Sequence, residues 1–202
     1  VLADHGDGMG SHRMVTKQVS FYEEMTNVPF IIAGPGIHPR QKPVEDLLTQ
    51  PTIDLLPTLC ELAGIPVPSS KPGISLAPFL KGEKQKRQHP YAASEWHSEY
   101  EVTVSPGRMI RSPRYKYTHY LEGNGEELYD MLKDKGERRN LAHDPKYSKI
   151  LAEHRALLDD YIRRTQDDYR SLKVEADKRW RSHAPGYPNH EGPCARDIIN
   201  RK

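Results

Sequence analysis

Asp4-His5-Gly6-Asp7 follows the apolar run Val1-Leu2-Ala3 directly. An Asp and a His in the loop at a strand's carboxyl end stand where open α/β sheets bind their ligands. A carboxylate and an imidazole both ligate divalent cations, and the glycines around them let backbone and ligand approach closely. Taken alone, such a pair is more often a turn with a surface imidazole. Two further groups follow in the next dozen residues, His12 and Lys17. By itself Lys17 reads as an exposed lysine at a helix start. A third cluster, Glu95-Trp96-His97-Ser98-Glu99-Tyr100, offers an aromatic ring and an imidazole that a strand could lean over a pocket to meet a sugar. An exposed strand and turn is the plainer account of it. His183 and His190 have no ligand-like spacing, and the basic run Lys81 to Arg87 reads as a solvated linker.

The elements that must position these groups change character midway. Val1 to Ala3 reads as a short strand, and residues 17 to 25 as about two helical turns. Pro29 to Ala33, ending at Gly34-Pro35-Gly36, has the profile of a strand in a covered parallel sheet. A weaker strand is expected near Val44 to Gln50. Residues 51 to 64 start with Pro and stop at Gly, with Leu55, Leu59 and Leu62 recurring at helical spacing. Pro57 predicts a kink there or a later start, and a short helical turn is expected from Ser75 to Leu80.

Beyond the linker, residues 90–96, 101–110, 114–121 and 126–131 are short Tyr- and Val-containing runs separated by turn signals. They predict a four-stranded antiparallel meander. Asp144-Pro145 opens a long helix whose apolar stripe is Tyr147, Ile150, Leu151, His154, Leu157, Leu158, Tyr161 and Ile162. One helix across a small sheet is a stable two-layer arrangement. The polar stretch after Asp168 is expected to wrap the surface or stay disordered.

Composition bounds the function classes. The 202 residues carry 30 Lys+Arg against 28 Asp+Glu, a net charge of +2, which gives no electrostatic case for nucleic acid. A mean hydropathy of -0.81 and the lack of a long apolar run exclude a membrane-spanning helix. Two cysteines, Cys60 in an apolar helical pattern and Cys194 in the polar tail, exclude a disulfide-stapled scaffold. Starting inside a strand, the chain is expected to be part of a larger protein, to expose apolar sheet edge and to self-associate without the remainder.

The stretch Asp4 to Ile32, with D-H-G-D-G-M-G-S-H, Lys17, Y-E-E and V-P-F-I-I, resembles the C-terminal metal-and-sulfate motif of type I sulfatases in the alkaline phosphatase superfamily. Thr52 to Leu59 with Leu62-Ala63-Gly64-Ile65, Gly73-Ile74-Ser75-Leu76 with Leu80-Lys81-Gly82, Arg114 to Tyr117, Glu127 to Asp130 and Glu137 to Leu141 resemble later blocks of that family, in its order. The likeness covers roughly residues 1 to 165. It implies the C-terminal part of an alkaline-phosphatase-like α/β sheet over residues 1–82. A small α+β subdomain, a four-stranded antiparallel sheet with a long helix, follows over 83–168, and a polar tail over 169–202.

The resemblance also implies roles. Asp4 and His5 match ligands of a divalent cation, usually calcium, although an imidazole suits a transition metal at least as well. Lys17 matches the lysine that binds the sulfate group and steadies charge on the bridging oxygen. His12 matches a position near the substrate that contacts the leaving group or protonates it. Trp96 and His97, from their residue types and place in the chain and not from the likeness, would face the substrate's sugar.

Neither Cys60 nor Cys194 fits the C/S-x-P-x-R motif that yields the family's formylglycine nucleophile, and the Asp pair that completes its metal cage is absent. This chain is therefore expected to supply one side of an active site and to be inactive without an N-terminal portion holding the formylglycine. The expected substrate is a sulfated small molecule or sulfated glycan, and the expected parent an exported protein. Phosphonate monoester hydrolases and phosphodiesterases of the same superfamily carry a similar stretch, and a non-catalytic interaction domain is the reading from another class.

Overall fold

The computed structural model describes residues 1–14, 20–40, 42–44, 47–70, 72–84, 89–96, 106–121 and 125–172. Its centre is the predicted meander: β1 (Ala92–Trp96), β2 (Gly107–Arg111), β3 (Tyr115–Tyr120) and β4 (Gly125–Asp130), antiparallel and in chain order. The register aligns Ala93, Ile110, Tyr117 and Leu128 across one face. With a side-chain period of two, Met109, Lys116, Thr118, Tyr120 and Tyr129 point to the other.

The first face packs on the long helix, which we call α4 (Ser148–Thr165). Leu151 and Leu158 bury against Tyr91, Ile110, Tyr117 and Leu128, and Tyr147, Ile150, Leu157, Tyr161 and Ile162 complete the predicted stripe. His154, in that stripe, is 4% exposed. Its Nδ1–H donates to the Ile150 carbonyl at 2.8 Å and its Nε2 stands 2.9 Å from Ser112 Oγ. Asp144 caps as expected, accepting from the Lys146 amide, but the turn it opens, Pro145–Tyr147, is a 3-10 turn that leads into α4. After Asp168 the chain makes a 3-10 turn, Tyr169–Ser171, and residues 173–202, the bulk of the expected tail, lie outside the described residues. Tyr169 is fully buried, with the Arg108 guanidinium over its ring and Asp167 clamping that guanidinium at 2.6 and 2.9 Å.

The second face is also covered, so the arrangement is thicker than one helix on one sheet. Phe21 packs on Met109 and Tyr120, and Met14, Tyr22 and Met25 on Tyr129 and Met131. The helix predicted over 17–25 is only α1 (Glu23–Thr26), and residues 17–19 lie outside the described residues. Ser20, Phe21 and Tyr22 are all buried, which an amphipathic helix on a surface cannot do for three successive residues. The backbone at Tyr22 is extended.

In the N-terminal third, Leu2 and Phe30 form one antiparallel bridge, flanked by Val1–Ile31 backbone bonds. Leu2 and Ile31 are 45% and 59% exposed, and the pairing is antiparallel where Pro29 to Ala33 suggested a parallel one. Residues 47–50 form no strand, and 45 and 46 lie outside the described residues.

The predicted helix is α2 (Pro51–Leu62), which runs through Pro57. A proline there cannot donate to the Ile53 carbonyl. The backbone of Gly73 fills that gap, so close that a Cβ on it would fall 2.0 Å from the Ile53 oxygen. The short α3 (Ala77–Leu80) follows. Among the described residues, no helix is long and apolar enough to cross a membrane.

Candidate active site

Asp4 and His5 leave the Leu2–Phe30 bridge side by side. The Asp4 carboxylate accepts the His5 amide at 3.0 Å, and His5 Nε2 lies 3.7 Å from Asp4 Oδ2. His5 Nδ1 is 2.9 Å from the Gly6 carbonyl. A carbonyl only accepts, so Nδ1 carries a proton there, which leaves Nε2 as the nitrogen a metal would take. Two donors each ~2.0–2.6 Å from one cation can stand no more than about 5 Å apart, and 3.7 Å satisfies that. The donor set thus fits a divalent cation as half a site. Among the described residues, no group of three or more His, Cys, Asp or Glu side chains completes it.

What holds this corner is α1. The Gly6 amide donates to the Met25 carbonyl at 3.0 Å, and a Cβ on Gly6 would lie 1.8 Å from the Glu24 carbonyl oxygen. The glycine is there because nothing larger lets the two backbones touch.

Asp4 and His5 line a cleft of about 740 Å³ that also reaches Ser20, Phe21, Gln50, His89 and Trp96. The Trp96 Nε1 and Ser20 Oγ are buried and have no hydrogen-bond partner among the described residues. The remaining wall is built on Asp54, which is fully buried and whose carboxylate accepts the Gln50 amide at 2.8 Å and the Ile74 amide at 2.8 Å. His89 Nε2 stands 2.7 Å from Asp54 Oδ1. An ionised carboxylate only accepts, which puts the proton on Nε2 and fixes the ring at the cleft's edge.

His12 is elsewhere. Its ring stacks on Tyr22 at 3.7 Å between centroids, with its Nε2 4.0 Å from a Glu24 oxygen, and it is not among the cleft's lining side chains. Burial lowers its pKa against the raising pull of Glu24, so the ring is neutral near pH 7. Lys17 and His97 lie outside the described residues. The structure therefore brings Asp4, His5 and Trp96 to one cleft and sets His12 apart. Sequence reasoning missed the Asp54–His89 pair, because its members are 35 positions apart and Asp54 reads as an ordinary first-turn helix residue.

Comparison with known proteins places this arrangement. A family model described as N-sulphoglucosamine sulphohydrolase, C-terminal, matches residues 10–164. The chain is 76% identical, over all 202 residues, to the Delta 4,5-hexuronate-2-O-sulfatase of Bacteroides thetaiotaomicron, and covers 42% of that protein. It superposes on the solved structure of a 2-O GAG sulfatase with a TM-score of 0.86 at 77% identity, over 98% of this chain and 42% of that one. A protein solved in complex with its substrate D-glucosamine-2-N,6-O-disulfate matches with a TM-score of 0.72 at 25% identity, over 85% of this chain and 35% of that one. The chain thus spans less than half the length of these relatives. It belongs to the sulfatase family of the alkaline phosphatase superfamily, and it carries that family's C-terminal portion.

Proposed function

We infer that the parent protein hydrolyses sulfate esters on a sugar, and that this chain supplies one wall of its active site. The observation that carries this is the Asp4–His5 corner, with His5 Nε2 free, opening on the same cleft as Trp96. The close relationship to a hexuronate-2-O-sulfatase makes an unsaturated 2-O-sulfated hexuronate the preferred substrate.

Asp4 and His5 would hold a divalent cation together with ligands from outside this chain. Calcium is the family's usual ion, though His5 would also suit a transition metal. Such a cation, when bound, draws electron density from the sulfate oxygens and stabilises the charge that grows on them. Lys17 binds the sulfate and steadies the departing bridging oxygen. Trp96 lines the cleft and offers part of its ring for a sugar face to stack on, and His97, the next residue in the sequence, would add a polar contact. His12, stacked on Tyr22 outside the cleft that Asp4, His5 and Trp96 line, is neutral at pH 7 and so is not the group that protonates the leaving oxygen. The nucleophile, a formylglycine in the family, comes from the rest of the parent protein, which we take to be exported to meet sulfated glycans.

The test is sulfate release by the full-length parent, followed by ion chromatography, from a 2-O-sulfated unsaturated disaccharide, a 6-O-sulfated one and an N-sulfated glucosamine. A phosphonate monoester is assayed alongside for its alcohol product. Preference for the 2-O-sulfated substrate is expected. Faster cleavage of the phosphonate would overturn the sulfatase reading, and no turnover of any substrate would favour a non-catalytic role.

A further inference from the structure

A buried ion cluster on the far side of α1 is used by none of the roles above. Lys116, on β3, is 1% exposed. Its Nζ lies 2.7 Å from Glu23 Oε1, 2.9 Å from Glu137 Oε1 and 2.9 Å from the Phe21 carbonyl. The other Glu137 oxygen accepts the Glu23 amide at 2.6 Å, which caps the start of α1. Glu137 sits at φ 47, a left-handed backbone that side chains seldom adopt. A buried lysine between two carboxylates is dear in desolvation, and hydrophobic replacements of such clusters are often as stable or more so. Stability alone is therefore a poor account of it.

The contacts run onward to the candidate site. Lys116 and Glu137 grip Phe21 and Glu23; α1 carries Met25 and Glu24; these fix Gly6 by one hydrogen bond and one backbone contact. The Gly6 carbonyl in turn orients the His5 ring. Resting on the metal-corner reading above, we propose that Lys116 and Glu137 are positioning residues for the cation site: they bolt α1 to the antiparallel sheet and so set where Asp4 and His5 present their donors. The second subdomain then does more than wall the cleft; it holds the metal corner in place.

The experiment uses the full-length parent with Lys116→Met and, separately, Glu137→Gln. Burial raises the Glu137 carboxyl and Lys116 pulls it back down. Without the lysine that carboxyl is pushed further up, which favours its neutral form over a bare buried charge, so Lys116→Met is expected to fold. Glu137→Gln keeps an acceptor for the Glu23 amide and serves if Lys116→Met does not fold. Calcium and manganese binding are measured by calorimetry on each folded protein, with circular dichroism and the thermal midpoint as controls.

Lys116→Met is expected to weaken cation binding at least tenfold with native circular dichroism, and Glu137→Gln to weaken it less. A folded Lys116→Met protein whose cation Kd stays within twofold of the wild type overturns the inference, whatever happens to its thermal midpoint. If Lys116→Met does not fold, a Glu137→Gln Kd within twofold overturns it equally. A wild-type parent that binds neither ion sinks the metal-corner reading itself, and sulfate release by the wild type reports separately on the sulfatase reading.

Discussion

Asp54 offers a quantitative test of how the cleft is built. Its carboxylate, fully buried, accepts one backbone amide on Oδ2 (Gln50) and both a backbone amide (Ile74) and an imidazole N–H (His89) on Oδ1. Asn at this position is nearly isosteric. Placed with its oxygen at the Oδ1 site it keeps the two bonds there and turns its NH2 toward the Gln50 amide, a donor facing a donor. One unsatisfied donor is worth about 1–2 kcal/mol. Ala removes all three acceptor contacts; the Ile74 amide is buried and has nowhere else to go, about 1–2 kcal/mol, and two further hydrogen bonds are lost at about 1 kcal/mol each. Their sum is about 3–4 kcal/mol.

Urea unfolding followed by tyrosine and tryptophan fluorescence reads the difference. With a slope of ~2 kcal/mol/M, Asp54→Ala should lower the midpoint by about 1.5–2 M and Asp54→Asn by about 0.5–1 M. His89→Ala should add little on the Asp54→Ala background, since the contact is already gone. Equal midpoint shifts for Asn and Ala, or none for either, would refute the three-acceptor account.

Gly6→Ala should displace the Asp4–His5 corner, because its Cβ would fall 1.8 Å from the Glu24 oxygen; a drop of tenfold or more in calcium affinity by calorimetry is expected, with Gly34→Ala, whose Cβ would meet nothing within 4 Å, causing less. Asp167→Ala removes the two-bond partner of the buried Arg108 guanidinium and leaves it the Trp96 and Gly107 carbonyls and Glu95 at 3.9 Å; it should destabilise by about 2–3 kcal/mol in urea. His154 has its pKa lowered, first by burial, so the unfolded chain takes up its proton before the folded one. Stability is then full above the unfolded value near 6.5 and falls as pH drops below it toward the folded value; His154→Gln should flatten that part of the midpoint-against-pH curve.

The parts legible in the sequence are those whose signal is local. The stripe on α4 is plain because one surface alone buries it, and the meander shows through its turns. Lys116 was illegible for the opposite reason: in a strand a lysine reads as solvent-facing, and only the segment 20–26, about 90 positions earlier, makes that face interior. The same segment defeats a helical reading, since Ser20, Phe21 and Tyr22 are all buried and the chain there must run extended. The Asp4–His5 corner was visible as residue types, whereas its support, Gly6 against α1, is a tertiary contact that no spacing announces.

Asp4 and His5 are expected to ligate the cation of the parent sulfatase. A crystal structure of the full-length parent soaked with manganese, with anomalous scattering to locate the ion, tests it most directly. The account predicts a peak ~2.0–2.6 Å from both an Asp4 carboxylate oxygen and His5 Nε2. A manganese peak in the active-site cleft that touches neither residue would contradict it.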